Sequence, residues 1–179
     1  RMKKFVSTIT LFCLFATWVN AQISTFPFSE NFETLTPGPT GCSPVYAFPL
    51  TPWRNGNQTV PPVATHILDW TTNFGPTSST GTGPDVDHTL GTASGKYVYL
   101  ESSCTAVREG DLVSPYLDLR TVSGLVIDFW YHMHGAGGGF MHLDVDTTQG
   151  TGAWVNDVTP AWTADLNAWQ NKQAPLSQF

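Results

Sequence analysis

Three histidines near the middle of the chain have the spacing of a metal site. His132 and His134 alternate within Leu125–Asp146 (LVIDFWYHMHGAGGGFMHLDVD), and His142 follows a glycine-rich run. Alternate residues of a strand share one face, so a hairpin turning near Gly137 would place His132 opposite His142. Three imidazoles arranged in this way could bind zinc or copper. The interpretation that we favour is structural, with these residues on the polar outer face of a sheet.

Carboxylates suggest two further kinds of chemistry. Asp85 and Asp87 lie in a segment of turn-forming residues and could bind calcium. Aspartates in turns commonly accept backbone N–H groups, and no EF-hand spacing is present, so turn chemistry is favoured. Asp128 and Asp144 have the residue types of a glycosidase pair. Because the chain lacks G-x-S-x-G, H-E-x-x-H and phosphate-binding motifs, we predict that it is not an enzyme.

One face of the same segment has the composition of a binding surface. Trp130, His132, His142 and Asp144 would lie together on it if the hairpin forms. An exposed aromatic flanked by carboxylates and amides is typical of surfaces that bind sugars. The alternative is that large aromatics in a small domain mostly fill the core.

The apolar residues of this segment recur at every second position. This period predicts two strands with one buried face each, joined by the turn-forming run GAGGG. The recurring residues are Leu125, Ile127, Phe129, Tyr131 and Met133 in the first arm, and Met141, Leu143 and Val145 in the second. We therefore predict a central antiparallel hairpin.

Other short strands are predicted along the chain, separated by segments rich in Gly and Pro. They are Thr25–Thr34, His66–Thr71, Lys96–Ser102, Leu112–Leu119 with a break at Pro115, and one within Trp162–Phe179. Short strands separated by turn formers predict an all-β fold, namely a jelly-roll β-sandwich of two antiparallel sheets.

Residues 1–21 have the features of a signal peptide of bacterial type. Lys3 and Lys4 precede an apolar run that is too short for a membrane span, and Ala21 ends a small-residue cleavage site. The predicted mature domain, residues 22–179, keeps five basic residues against 14 acidic ones, a net charge of about −9. We therefore expect a secreted or cell-surface protein that does not bind nucleic acid.

Cys42 and Cys104 are the two cysteines of the predicted mature chain. In an oxidising compartment a pair of cysteines is more often bridged than free, so we predict a disulfide between them.

Several motifs, taken in order, resemble the MAM domain, the module shared by meprin, A5 and receptor phosphatases. They are Asp69-Trp70, Thr82-Gly83-Pro84 with Asp87-His88-Thr89, Gly95–Ser103, Leu112–Pro115 and Phe129–Gly135. The resemblance covers roughly Phe26 to Phe179. It implies a concanavalin-like jelly roll, an extracellular location, and a role in adhesion or in assembling secreted multidomain proteins, without catalysis.

The resemblance also carries expectations about particular residues. Members of the family usually have a cysteine close to the position of Ser29, which is absent here, so Cys104 is the partner left for Cys42. Similar sandwiches often hold their first strand with a structural calcium ion, which makes Glu33 and Asp69 candidate ligands beside Asp85 and Asp87.

The family's domains close with a further strand pair, so we expect this chain to lack its C-terminal strands and the natural protein to continue into other domains. We expect Trp70, Phe129 and Tyr131 to lie in the core. The predicted partner is an extracellular protein or glycan, and the alternative function is a carbohydrate-binding module appended to a secreted hydrolase or protease.

Overall fold

The computed structural model describes residues 22–38, 53–56, 68–101, 109–135, 139–148 and 153–179. In these ranges the regular structure consists of strands, and no α-helix occurs, which confirms the all-β prediction. The strands are β1 (Gln22–Ile23), β2 (Arg54–Asn55), β3 (Thr71–Phe74), β4 (Lys96–Tyr99), β5 (Leu112–Val113), β6 (Tyr116–Leu117), β7 (Val126–Met133), β8 (Val145–Asp146), β9 (Trp154–Val155) and β10 (Leu166–Pro175). Among these residues there is accordingly no apolar helix of membrane-spanning length.

The described strands pair two by two. The antiparallel pairs are β2 with β5, β3 with β4, β8 with β9 and β7 with β10. The short strands β1 and β6 run parallel over two residues.

The longest ladder joins β7 to β10, from Val126 opposite Pro175 to Met133 opposite Leu166. The predicted strand Leu125–Met133 is therefore confirmed, but its predicted pairing with the second arm of a hairpin is wrong. That arm instead pairs with residues 154–162, through Val145 opposite Val155 and the bridge from Met141 to Trp162. Because the arm is regular over two residues only and β10 over ten, β10 offers β7 more backbone hydrogen bonds.

Pro115 divides the predicted strand Leu112–Leu119 into β5 and β6, as its missing N–H group predicts. The two halves pair with different partners, since Leu112 lies opposite Asn55 and Tyr116 lies opposite Gln22. The break therefore lets one segment connect two strand pairs.

The predicted opening strand Thr25–Thr34 does not form. Glu30 Oε1 accepts a hydrogen bond from the N–H of Phe32 at 2.7 Å, and Asn31 Oδ1 accepts one from the N–H of Glu33 at 3.1 Å. Phe32 itself has a φ of 62°. These local bonds compete with strand pairing and turn the chain instead.

The strand predicted at His66–Thr71 also begins later than expected. Its first two residues lie outside the described ranges, residues 68–70 are irregular, and β3 begins at Thr71. Thr71 and Thr72 are buried, so the strand is polar and carries little of the apolar alternation on which the prediction relied.

The core is built around β4. It lies within the predicted strand Lys96–Ser102, and its side chains alternate in burial, because Tyr97 and Tyr99 are buried while Lys96 and Val98 are half-buried. The other buried apolar side chains in the described ranges are Leu68, Ala174 and Leu176, with Pro84 and Pro115.

The three aromatics expected in the core are only half-buried. Trp70 is half-buried, and its indole N–H donates to the carbonyl of Gly110 at 2.9 Å. Phe129 and Tyr131 lie on the inner face of β7 and pack against Trp162, with ring centroids 6.0 and 5.9 Å apart.

Candidate functional site

One face of the β7–β10 sheet is open to solvent along three consecutive cross-strand pairs. Every side chain of these pairs is exposed. We call this surface the outer strip; it consists of Val126, Asp128 and Trp130 on β7, opposite Pro175, Gln173 and Asn171 on β10. Because the strip lies on the longest sheet, its backbone is held by the most extensive ladder in the described residues.

Trp130 is the large aromatic of the strip, and 47% of its surface is exposed. The imidazole of His88 stacks on its indole, with centroids 3.9 Å apart and planes 18° apart. His88 belongs to the glycine-rich segment that precedes β4, so this contact ties a loop to the sheet. The stack covers one indole face and orients the ring.

Asp128 is held by two amides of the neighbouring strand. Asn171 donates to Asp128 Oδ1 at 2.5 Å, and Gln173 donates to Asp128 Oδ2 at 2.9 Å. These hydrogen bonds lower the pKa of the Asp128 carboxyl below its ordinary value, and the bond from Asn171 has the larger effect. The strip therefore presents an oriented, ionised carboxylate next to an exposed indole.

The other end of the same sheet face is covered. His132 and Trp169 are half-buried, with ring centroids 5.6 Å apart. Trp169 contacts Tyr97 of β4 at 6.0 Å and donates its indole N–H to the carbonyl of Val86 at 2.9 Å. The segment around residues 86–97 thus packs over the sheet beyond Trp130.

The three histidines considered as a metal site do not all come together, which fits the favoured structural interpretation. His132 Nε2 lies 3.2 Å from Asn167 Oδ1, and His134 Nδ1 lies 2.9 Å from Asp165 Oδ1. His142 is instead on the segment that pairs with residues 154–162. Among the described residues no group of three or more His, Cys, Asp or Glu side chains is arranged to hold a metal ion.

Burial lowers the pKa of His132, and the nearby His134 lowers it further, while the hydrogen bond to Asn167 and the charge of Asp85 oppose this change. The Nδ1 atom of His132 is buried and has no hydrogen-bond partner. Both observations describe a histidine held neutral in a sheet.

His142 and Asp144 form a separate corner with Asp157. His142 Nδ1 lies 2.7 Å from Asp157 Oδ1, and the backbone N–H of Asp157 donates to Asp144 Oδ1 at 2.7 Å. Asp157 has a φ of 52°, so these contacts stabilise a left-handed turn. The predicted binding surface is therefore divided between the sheet and this corner, and the suggested pair of Asp128 and Asp144 is divided in the same way.

Asp87 is a turn-organising carboxylate. It is 1% exposed and accepts the N–H groups of Leu90 at 2.6 Å and Thr92 at 3.1 Å. Burial opposes its ionisation, but the backbone hydrogen bonds and one from the Glu33 side chain outweigh burial, so its pKa is lowered. The favoured interpretation of Asp87 as a turn residue agrees with this geometry.

The other predicted calcium ligands have different surroundings. Glu33 contacts Asp87, and both its carboxylate oxygens accept the N–H of Lys96, at 3.1 and 3.2 Å. Asp69 is buried, whereas Asp85 is exposed beside a polar cavity of about 330 Å³ formed by residues 76–83 and Asn167. The residues of the predicted disulfide, Cys42 and Cys104, lie outside the described ranges, as do residues 1–21.

Sequence reasoning missed the residues that hold the strip in place. Asn171 and Gln173 alternate in QNKQ next to Trp169, a period-two signal that could have identified the strand facing β7. The stacking partner of Trp130 carries no such signal, because His88 is 42 positions away.

An all-β chain with an open sheet face that carries an aromatic and an oriented carboxylate has the features of a binding module. The comparison with known families agrees: the family described as MAM domain, meprin/A5/mu, matches residues 62–179. The chain therefore belongs to the MAM domain family, whose members are jelly-roll-like β-sandwiches serving as extracellular adhesion or interaction modules.

The chain is similar to neuropilin-1a of Danio rerio, with 35% identity over 85 residues. The match covers 46% of this chain and 9% of the relative, so this chain spans a small part of that protein's length. No solved structure matches the chain. The resemblance inferred from the motifs is confirmed at the level of the family.

Proposed function

We propose that this chain is a secreted or cell-surface, non-catalytic module that binds an extracellular protein. The observation that carries the proposal is its membership of the MAM family over most of its length. The outer strip supports it, because an ordered and exposed sheet face is a surface on which a partner can dock. We further propose that residues 1–21 are removed on export and that residues 22–179 act within a larger, multidomain protein.

The test is adhesion by the purified chain. Beads coated with it are expected either to aggregate with one another or to bind cells through an extracellular protein that cross-linking then identifies. Beads that stay dispersed and recover no extracellular protein would contradict the proposal. So would measured turnover that disappears in Asp128→Asn or Asp144→Asn.

The alternative, a carbohydrate-binding module attached to a hydrolase or protease, receives no support from the family match. His88 occupies one face of Trp130, so a sugar ring would have to stack on the other face. Retention of the chain on a polysaccharide column, lost in a folded Trp130→Ala variant, would favour this alternative over a protein partner.

A structural calcium ion near the glycine-rich segment is a further proposal, centred on Glu33 and Asp87. The Glu33 carboxyl lies beside the buried Asp87 carboxylate and lowers its pKa through a hydrogen bond, and a divalent cation bound between the two groups would take the place of the shared proton. Asp69 and Asp85 are the other candidate ligands, although no three of these described carboxylates are arranged around one point, so backbone carbonyls or water would have to complete the coordination. Calcium is expected to raise the Tm of the chain but not that of Glu33→Gln, and an equal shift in both would exclude this site.

The disulfide between Cys42 and Cys104 is also proposed. The secreted chain is expected to show no free thiol under denaturing conditions, and each Cys→Ser variant is expected to show one. Two free thiols in the secreted protein would contradict this pairing.

A further inference from the structure

We propose that the outer strip, together with His88, is a docking surface for a basic segment of another protein, in which an arginine or lysine side chain lies against Trp130 and pairs with Asp128. This inference rests on the proposed protein-binding function and names the chemistry of the partner.

The strip is open where the rest of the same sheet face is covered. Its six side chains are exposed, whereas His132 and Trp169, further along the face, are half-buried beneath the segment 86–97. Val126 and Trp130 are 55% and 47% exposed. The strip thus combines apolar area with an ordered backbone, which favours docking without a large cost in conformational entropy.

Trp130 is oriented to receive a cation. The indole is 47% exposed despite the His88 stack, and Asp128 lies two residues earlier on the same strand and the same face. Two positions along a strand correspond to roughly 7 Å, a distance that one arginine side chain spans. A guanidinium can therefore contact the indole and the carboxylate together.

The charge of Asp128 is not neutralised within the described residues. Its hydrogen-bond partners there are two neutral amides, which hold both oxygens in position and lower its pKa. A cation from a partner would find this acceptor already oriented, so binding would require little rearrangement.

The basic side chains of the described ranges are engaged elsewhere. Arg120 pairs with Asp118, and the Lys96 ammonium donates to the carbonyl of Glu33. Arg54 lies over the ring of Tyr116 at 5.0 Å, and Lys172 lies over that of Trp162 at 4.5 Å. Each cation in this part of a second copy would have to give up a contact of its own to bind the strip, including the largely exposed Arg120, which favours a different protein as the partner.

The net charge of −6 also favours a positively charged partner. The field of an acidic module attracts basic segments and repels nucleic acids and acidic glycans. Such an encounter weakens as salt is raised, because exposed charges are screened within about 8–10 Å.

The experiment measures binding of a fluorescent oligoarginine peptide to the full chain by anisotropy, at low and high salt. Oligoglutamate and Gly-Ser peptides of equal length serve as ligand controls. We expect the oligoarginine peptide alone to bind, and Trp130→Ala and Asp128→Asn each to weaken binding about three- to fivefold. Asp128→Lys is expected to abolish binding, whereas Glu30→Gln, which also removes one exposed negative charge, should leave it unchanged.

Circular dichroism and urea unfolding establish that each variant is folded, and Trp130→Phe provides a second reading of the ring contact with less effect on the fold. Equal binding of all three peptides, or an equal loss in Glu30→Gln and Asp128→Asn, would overturn the proposal. If beads adhere through a protein partner but the strip variants do not affect oligoarginine binding, the assignment of the strip as the docking surface is wrong and the adhesion function stands. If the peptide binds through the strip and no adhesion occurs, the docking surface stands and the adhesion function is wrong.

Discussion

Asn55 connects two distant segments through hydrogen bonds in the interior. It is completely buried, accepts the N–H of Trp70 at 2.8 Å and donates to the carbonyl of Trp70 at 3.1 Å. An asparagine that bonds both backbone groups of another residue imitates one rung of a β-ladder. This contact holds β2 against the chain that leads into β3.

Replacing Asn55 by alanine is expected to lower the free energy of unfolding by about 3 kcal/mol, because it leaves a backbone donor and acceptor without partners inside the protein. Urea unfolding followed by circular dichroism measures this change. Asn156→Ala, at an exposed position, is the matched control and should change stability by less than about 0.5 kcal/mol. Equal free energies of unfolding for the two variants would show that the buried hydrogen bonds of Asn55 do not stabilise the fold.

Gly95 allows the chain to pass close to the Asp87 carboxylate, where a Cβ atom would overlap the carboxylate oxygens and carbon. We therefore expect Gly95→Ala to destabilise the fold by about 2 kcal/mol, as overpacking of a rigid site does. At Gly139, by contrast, a Cβ would meet no atom within 4 Å, so Gly139→Ala is the control. Similar melting temperatures for the two variants would contradict the close approach.

At the scale of elements, the β7–β10 sheet has two unlike ends. One end carries the outer strip, and the other is covered through Trp169, whose ring contacts His132 and whose N–H donates to Val86. The same sheet therefore serves as scaffold at one end and as exposed surface at the other.

His132 makes the covered end sensitive to acid. Its folded-state pKa lies below the ordinary value of 6.5, chiefly because of burial, so the unfolded chain binds the proton more readily. The free energy of unfolding should therefore decrease as the pH falls through about 6.5 and below. His134 and Asp85 are the charged neighbours that modify this titration.

We expect the loss of stability between about pH 7.5 and 5.5 to be smaller in His132→Gln than in the unmodified chain. His142→Gln, at an exposed histidine on another segment, is the matched control. If unfolding in urea shows the same pH dependence for all three proteins, the protonation of His132 is not responsible.

At the scale of the whole molecule, the chain has 14 acidic residues and eight basic ones, so it carries a net negative charge. The resulting self-repulsion destabilises the compact state, and salt screens it. We therefore expect the Tm of the chain to rise by a few degrees between low and moderate sodium chloride, and to rise less in sucrose of equal osmolarity, which is excluded from the surface but does not screen charge. Binding of a basic segment at the strip should change in the opposite direction, weakening as salt increases.

Much of the architecture could be predicted because it depends on local pattern. The alternation through Phe129 and Tyr131 predicted β7, the missing N–H of Pro115 predicted the break between β5 and β6, and the ordered motifs indicated the MAM family, to which the match at residues 62–179 assigns the chain. Each of these patterns spans a few residues or follows the order of motifs along the chain. It can be recognised without knowing which residues pack together in the folded protein.

Only the tertiary structure decided which strands meet. β7 pairs with β10 rather than with the nearer arm around Met141. The longer ladder with β10 adds backbone hydrogen bonds, and their free energy outweighs the smaller loop-closure entropy cost of a tight turn. That choice separates His132 from His142, places Asn171 beside Asp128, and lets His88 stack on Trp130. Contacts between residues so distant in sequence depend on the packing of the whole chain, which no local pattern encodes.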